Sequence, residues 1–240
     1  MGFSVKLHGL TIGFRVDRPA GLPRLRQLLA ASPAQPSEQE EVDLLYSYKV
    51  GGRRGRQRDY HLLYQGARPL GRSLHWDELV APLRLDVASA LGLNSQEFIS
   101  LLGCAVAYQN QGLLILGPLG SGRTTLAETL CQQGAQPIDD PIILLDRSQG
   151  LLRSVWSQTP PCPVAAVLVT EFRPAGHFRP RRLAPGPATL ELFARAPAAT
   201  LQPRAVMPGL ARLSRQSPLF KGARGEAGEA ARRWLELVNR

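Results

Sequence analysis

The order of apolar and polar positions divides the chain into a strand-rich first part and a second part with buried strands and helices. Apolar residues recur at alternating positions over residues 3–16, which predicts one or two strands, and an apolar helical stripe follows over 22–30. The polar, proline-containing segment 32–41 predicts a surface loop. Two more strand-like runs, 42–50 and 60–66, predict a hairpin with a long tip.

The segment 74–101 has mostly helical spacing. Pro82 and the stretch 92–95 interrupt this spacing, and Asn94 or Ser95 is a suitable cap for a second helix that contains Phe98. We therefore predict two helices here, with the main domain boundary close to the end of the segment.

Unbroken apolar runs mark the second part, and such runs are typical of strands that are covered on both faces. The runs lie at 104–108, 113–116, 142–145 and 165–169. Helical spacing is found over 188–196, 205–214 and 225–238. We predict an α/β chain with an N-terminal α+β region at 1–98 and a second domain at 99–240.

A glycine-rich segment joins the strand at 113–116 to a helix that begins at Thr124. Its glycines leave successive N–H groups free to surround an anion, and the helix adds the positive end of its dipole. An apolar stripe continues along the helix, and Gly134 is placed to cap its C-terminus. This segment predicts a phosphate-binding site.

The spacing nearly satisfies the pattern G-x-x-x-x-G-K-[ST] of loops that hold nucleotide phosphates. Arg123 stands where the pattern has lysine, and its planar guanidinium keeps the attraction for phosphate but places the charge differently. The alternative is a glycine-rich turn that binds no ligand. The predicted phosphate-binding residues are Gly117, Gly120, Ser121, Gly122, Arg123, Thr124 and Thr125.

Composition indicates a globular protein, since 44% of the 240 residues are hydrophobic and 20% are charged. No run approaches the roughly 18 apolar residues of a membrane helix, and the first residues lack the apolar core of a signal peptide. We therefore expect a cytoplasmic protein without a membrane span. The cysteines, Cys104, Cys131 and Cys162, have no metal-like spacing and fit reduced thiols.

The net charge of +10 comes from arginine and permits attraction to nucleic acid, acidic protein surfaces or anionic membranes. The arginines concentrate at two places, the hairpin tip and a loop after the run at 165–169. They are Arg53, Arg54, Arg56 and Arg58 in the tip, and Arg179, Arg181 and Arg182 in the loop. Ordinary solvated turns and a general preference for arginine account for the same charge.

At the loop and its flanks the sequence resembles the HPr kinase/phosphorylase family and related serine kinases found beside peptide-modifying enzymes. The matching residues are Gly112, Gly117, Gly120, Gly122, Thr124, Leu126, Gly134 and the pair Asp139-Asp140. The rest of the chain is similar in layout only. The resemblance implies a P-loop core with a central mixed sheet of the HPr-kinase/PEP-carboxykinase type, a strand-rich N-terminal part and C-terminal helices.

The resemblance also implies transfer of the ATP γ-phosphate to a serine of a protein or peptide, with ATP and Mg²⁺ as cofactors, and self-association into a homo-oligomer as in relatives. Thr124 and Asp140 would be the magnesium ligands, and Asp140 and Asp139 the catalytic candidates. Asp140 aligns with the first acidic position of the family and Pro141 with the second, unless one residue is deleted so that Asp139 and Asp140 form the pair.

Three positions depart from the family pattern: Arg123 replaces lysine, Leu102 replaces a histidine, and Pro141 aligns with the second acid. A second hypothesis is therefore a catalytically degenerate protein that binds nucleotide or a partner. A third hypothesis is a basic binder of nucleic acid or acidic surfaces. Glu171 ends a predicted strand, where open α/β sheets bind ligands, and is a further candidate contact to metal or substrate.

Overall fold

The computed structural model describes residues 1–54 and 57–238. The chain forms two compact units, Met1–Gln96 with Val155–Gln158, and Glu97–Ser154 with Thr159–Arg240. The side chains of Arg53, Arg54 and Arg56 lie outside the described part of the chain. The contacts predicted for them, with phosphate or an acidic partner, therefore stay predictions. Within the described ranges, no helix is both long and apolar enough to cross a membrane.

The first unit is a mixed sheet with two helices. Its elements are β1 (Gly2–Leu7), β2 (Leu10–Val16), α1 (Leu22–Leu29), β3 (Gln35–Ser37), β4 (Leu44–Lys49), β5 (Gly52–Arg54), β6 (Gln57–Asp59), β7 (His61–Gln65), β8 (Arg68–Ser73) and α2 (Asp77–Asn94). Six strands form one sheet in the order β3-β1-β2-β4-β7-β8, and β5 pairs with β6 separately. The predicted strands and first helix are confirmed, whereas β5, β6 and β8 were missed and β3 lies in the segment that was predicted to be a loop.

The helix α2 runs without a break through Pro82, so the predicted interruption is wrong. A proline inside a helix removes one backbone hydrogen bond and destabilises the helix. The buried residues Leu79, Leu83 and Val87 lie on one stripe that spans the proline. Burial of this apolar face holds the helix together across Pro82.

The second unit contains a larger mixed sheet. Its elements are β9 (Phe98–Tyr108), β10 (Gln111–Leu116), α3 (Arg123–Gln132), β11 (Gln136–Asp139), β12 (Ile142–Asp146), β13 (Leu151–Arg153), β14 (Cys162–Phe172), β15 (Arg181–Arg182), α4 (Pro185–Phe193), α5 (Ala198–Leu201), α6 (Pro203–Gln216), β16 (Leu219–Arg224) and α7 (Ala227–Val238). The α/β class, the mixed sheet and the C-terminal helices are therefore confirmed.

The sheet has the order β10-β9-β12-β13-β14-β16-β15, with β11 also paired to β9. A parallel pairing of β10 with β14 joins strands that are distant in this order. Five strands, β9, β12, β13, β14 and β10, consequently form a closed cycle of pairings. Most neighbours are antiparallel, but β10, β14 and β16 run parallel to one another, so their carboxyl ends lie at one edge.

The strand β9 replaces the predicted helix around Phe98, so that prediction is wrong. Its first half, from Phe98 to Leu102, pairs with β12, and its second half, from Gly103 to Tyr108, pairs with β10. Ile99, Leu101 and Cys104 have no exposed surface. Long-range pairing thus overrides the local signal for a helix.

The helix α7 covers one face of the second sheet and packs against α3. Trp234 is fully buried. Its ring packs edge-to-face with the rings of Phe178 and Phe220, at centroid distances of 6.5 and 5.4 Å. Leu126 and Leu130 of α3 belong to the same apolar cluster. This packing fixes the helix that follows the glycine loop.

Replacing Trp234 with Ala should lower the free energy of unfolding by about 3–5 kcal/mol, because it removes a large buried side chain and leaves a cavity. Urea unfolding followed by far-UV circular dichroism measures this change. The control is Leu190→Ala on α4, whose side chain is 65% exposed and whose loss should change stability by less than about 0.5 kcal/mol. Equal effects of the two substitutions would contradict the proposed packing role of Trp234.

Candidate functional site

The glycine loop leaves the carboxyl end of β10 and leads directly into α3. Leu113 to Leu116 of β10 are completely buried, because β9 lies on one side and β14 on the other. The helix begins at Arg123, one residue before the predicted start. Gly134 has a φ of 97° after the helix, which confirms the predicted cap.

Two glycines give the loop its path. Gly120 has a φ of 77° and Gly122 a φ of 75°, both in the left-handed region that side chains disfavour. Gly122 is also the N-cap residue of α3, and within the described residues no side chain caps this helix. The first N–H groups of α3 therefore have no intrahelical acceptor and no capping side chain.

Ser121 supplies a buried polar atom inside the loop. The serine is 5% exposed, and its Oγ has no hydrogen-bond partner among the described residues. A Cβ placed on Gly117 would lie only 2.6 Å from this Oγ, so the hydroxyl lies against the start of the loop. An unpaired buried hydroxyl beside free N–H groups fits a site that accepts an oxygen-rich anion.

The charged residue predicted at the loop, Arg123, is the first residue of α3 and is half-buried. Within the described part of the chain, no carboxylate forms a salt bridge with its guanidinium. Thr124 and Thr125 follow it and are exposed. A cation and two hydroxyl groups therefore surround the positive end of the α3 dipole.

Asp140 lies next to the loop, although it is 16 residues away from Thr124 in the sequence. The Thr124 hydroxyl donates a hydrogen bond of 2.6 Å to Asp140 Oδ2. Both β11 and β12 pair with β9, and Asp140 occupies the connection between them, before a cis bond to Pro141. The two residues predicted as magnesium ligands are thus brought together.

Asp139 has a different environment from Asp140. Its Oδ1 accepts a hydrogen bond of 3.0 Å from the Asp140 N–H, and its Oδ2 accepts one of 2.8 Å from the Ser154 hydroxyl. Both carboxylate oxygens therefore have donors within the chain, which favours a role in positioning the turn. Because Asp139 and Asp140 have different hydrogen-bond partners, equivalent roles for the two aspartates are not supported.

Arg224 is the residue of this site that sequence reasoning missed. It ends β16, is 2% exposed, and donates a hydrogen bond of 2.6 Å to the carbonyl of Gly122 and one of 2.9 Å to that of Gly225. Burial lowers the pKa of its guanidinium, an effect partly opposed by Glu226. An arginine after an apolar run gives no sequence signal for this contact, because 102 residues separate it from the loop.

The positions that depart from the family pattern also lie near the site. Leu102 of β9 is 38% exposed and pairs in register with Ile142, the residue after Pro141. The next residue, Gly103, donates its N–H to the Pro141 carbonyl at 2.9 Å. None of the four histidines occupies the position of Leu102 on β9, since His8, His61 and His75 belong to the first unit and His177 lies between β14 and β15.

The remaining candidate groups do not add an ionisable nucleophile. Cys104, Cys131 and Cys162 are free thiols, and burial raises the pKa of all three. Glu171 lies at the carboxyl end of β14 and forms a salt bridge of 2.6 Å with Arg173. Among the described residues, no group of three His, Cys, Asp or Glu side chains is arranged to hold a metal ion.

Substituting Gly122 with Ala should destabilise the protein more than substituting Gly120 with Ala. Both changes place a side chain at a left-handed φ, a strain of about 1–2 kcal/mol. A Cβ on Gly122 would collide with the Arg224 guanidinium. A Cβ on Gly120 would have no atom within 4 Å. Loss of the buried hydrogen bond should add about 1–3 kcal/mol in urea unfolding. Equal destabilisation would contradict the importance of the Arg224 contact.

The chain has structural similarity to solved proteins. No family model matches the chain, and no curated protein matches its sequence. The HPr(Ser) kinase/phosphatase from Coxiella burnetii is a solved structure with 13% sequence identity and a TM-score of 0.31, over 57% of this chain and 96% of that chain. A similarity at this level carries no argument about the function of the present chain.

Proposed function

We propose that this chain binds ATP with Mg²⁺ at the loop Gly117–Gly122 and transfers the γ-phosphate to a serine hydroxyl of a protein or peptide. The observation that carries the proposal is the 2.6 Å hydrogen bond between Thr124 and Asp140 at the N-terminus of α3. It places a hydroxyl and a carboxylate beside a loop that has free N–H groups. This combination suits an anion together with a hard cation.

The loop and α3 would bind the phosphates. Unpaired N–H groups and the helix dipole attract the anion, and Ser121 contributes a buried hydroxyl. Arg123 contributes a charge that no acidic residue of the described chain neutralises. Arg224 fixes the Gly122 carbonyl and thereby orients the peptide unit at the helix start.

Thr124 and Asp140 would hold Mg²⁺. Magnesium is usually bound by one or two protein oxygens, with phosphate oxygens and water completing its octahedron, so two such residues suffice. When bound, the ion neutralises negative charge on the phosphates during transfer. Asp140 Oδ2 lies beside Thr124 and would face the ion, whereas Oδ1 receives no hydrogen bond from a described residue and remains available to the acceptor hydroxyl.

Transfer breaks the bond between the γ-phosphorus and the oxygen that bridges to the β-phosphate, and forms a bond between the serine oxygen and phosphorus. ADP leaves with the bridging oxygen. Asp140 orients the serine hydroxyl and accepts its proton, which then passes to solvent. Such chemistry depends mainly on positioning and charge neutralisation, which the loop and α3 are suited to supply.

Calorimetric titration with ATP, in the presence and absence of Mg²⁺, tests the proposal. Arg123→Ala should weaken ATP binding about tenfold or more under both conditions. Asp140→Asn should remove the gain in affinity from Mg²⁺ without weakening metal-free binding, because it removes a negative charge beside the phosphates.

The control is Glu128→Gln, an exposed acid on the same helix, which should bind as the wild type does. Absence of ATP binding by the wild type, or a full Mg²⁺ effect in Asp140→Asn, would contradict the proposal.

A second candidate function is nucleotide-dependent binding of a partner without catalysis. The observation that favours it is Leu102, a partly exposed apolar side chain close to the Asp140–Pro141 connection, where the family resemblance implies a histidine. Leucine cannot take up or release a proton. In this alternative, the same loop binds nucleotide but no phosphoryl group moves.

Restoring the missing groups separates the two functions. If catalysis has been lost, the double substitution Leu102→His with Arg123→Lys should raise the rate of ADP release in the presence of a serine peptide by about tenfold or more. If the native residues already support transfer, the wild type should be active and the double variant should gain nothing. Leu190→Ala serves as the control, since its side chain is exposed on α4 and takes no part in the contacts described at the loop.

A further inference from the structure

A cavity of about 430 Å³ adjoins the glycine loop at the carboxyl ends of β14 and β16. Pro118 of the loop forms part of its wall, and the remainder comes from the ends of these strands, from Arg173 just beyond β14, from β15 and from Arg195, the second residue after α4. The parallel strands β10, β14 and β16 all end at this edge. The cavity is therefore positioned to hold a molecule next to the phosphates bound by the loop.

The walls of this cavity are strongly basic. Its charged side chains are Arg173, Arg181, Arg195, Lys221 and Glu171. Glu171 is paired with Arg173 at 2.6 Å, and Glu191, outside the lining, pairs with both Arg195 and Lys221. Four cations thus face only two carboxylates, so the cavity retains an excess of positive charge.

Arg181 carries the clearest unbalanced charge. It pairs in register with Lys221 across β15 and β16, so two cations stand directly opposite each other. Like charges in this arrangement destabilise a sheet. Glu191 neutralises Lys221, but no acidic residue in the described chain forms a salt bridge with Arg181. An anion bound between β15 and the loop would relieve this repulsion.

Arg195 adds a fixed donor to the same wall. Its side chain is only 19% exposed and is held by Glu191 at 2.9 Å, so little conformational freedom remains for a ligand to remove. Its Nε is buried without a hydrogen-bond partner among the described residues. A planar guanidinium that is already held in place suits carboxylate recognition.

We propose that this cavity binds the acidic side chains of the acceptor, so that the phosphorylated serine belongs to an aspartate- or glutamate-rich segment of a peptide or protein. The inference rests on the proposed function, because the loop fixes where the phosphoryl group would be. A carboxylate ligand is favoured over nucleic acid, since the described lining contains no aromatic ring on which bases could stack.

The test uses synthetic peptides with one central serine, flanked by aspartates in one peptide and by asparagines in the other. Binding is measured by fluorescence anisotropy without nucleotide. The aspartate peptide should bind at least about tenfold more tightly than the asparagine peptide, and its affinity should fall as salt rises. Equal affinities would overturn the proposal.

A matched pair of variants locates the binding surface. Arg181→Glu should weaken binding of the aspartate peptide about tenfold or more, because it places a negative charge in the cavity wall. Arg182→Glu makes the same change at the next residue of β15, which is exposed and does not line the cavity, so binding should fall by less than about threefold. Equal losses in both variants would overturn the assignment to this cavity.

A final competition experiment uses a single-stranded oligonucleotide with the same net charge as the aspartate peptide. If it displaces the aspartate peptide at equal concentration, the surface attracts polyanions in general and the proposal is wrong. Peptide binding is measured without ATP, and ATP binding is measured without peptide, so the two proposals fail separately. Absence of ATP binding with intact charge-selective peptide binding removes the proposed function and leaves a cavity that binds acidic peptides, whereas the reverse result removes the acidic acceptor alone.

Discussion

The pairing of β10 between β9 and β14 is the constraint on which the second unit depends. It buries Leu113 to Leu116 completely and leaves the glycine loop at the edge where β14 and β16 also end. The same β9 pairs with β11 and β12, so the connection that carries Asp140 reaches this edge too. One set of backbone pairings thus brings together residues from distant parts of the sequence.

The buried Arg224 links this framework to the loop. A guanidinium that is removed from water normally needs a carboxylate, yet this one donates to two backbone carbonyls and lies 5.6 Å from the ring of Phe172. Its charge therefore adds to the positive potential from Arg123 and the α3 dipole. Asp140 hydrogen-bonds to Thr124 in this region, and Glu226 offsets part of the Arg224 charge. The balance of charge favours an anionic ligand bound with a divalent cation.

Much of the fold follows from local sequence pattern. The continuous apolar runs around Leu114, Leu144 and Leu168 predicted buried strands, because strands covered on both faces cannot alternate. The helix after the loop was also predicted to within one residue, since its glycines and apolar stripe are local features. The short strands β13, β15 and β16 were not predicted, because pairing partners rather than local pattern hold them. The strand at Phe98 was mistaken for a helix for the same reason.

The sequence by itself determined that a glycine loop with Arg123 and Thr124 precedes a helix, because these residues are adjacent and their spacing carries the chemistry. It favoured Asp140 for the first acidic position but left open whether Asp139 and Asp140 form the pair. Only the tertiary structure decided that Asp140 contacts Thr124 while Asp139 faces Ser154, since neighbouring residues at a strand end point in different directions. The contribution of Arg224 likewise depends on parallel pairing of β16 with β14, which no local pattern encodes.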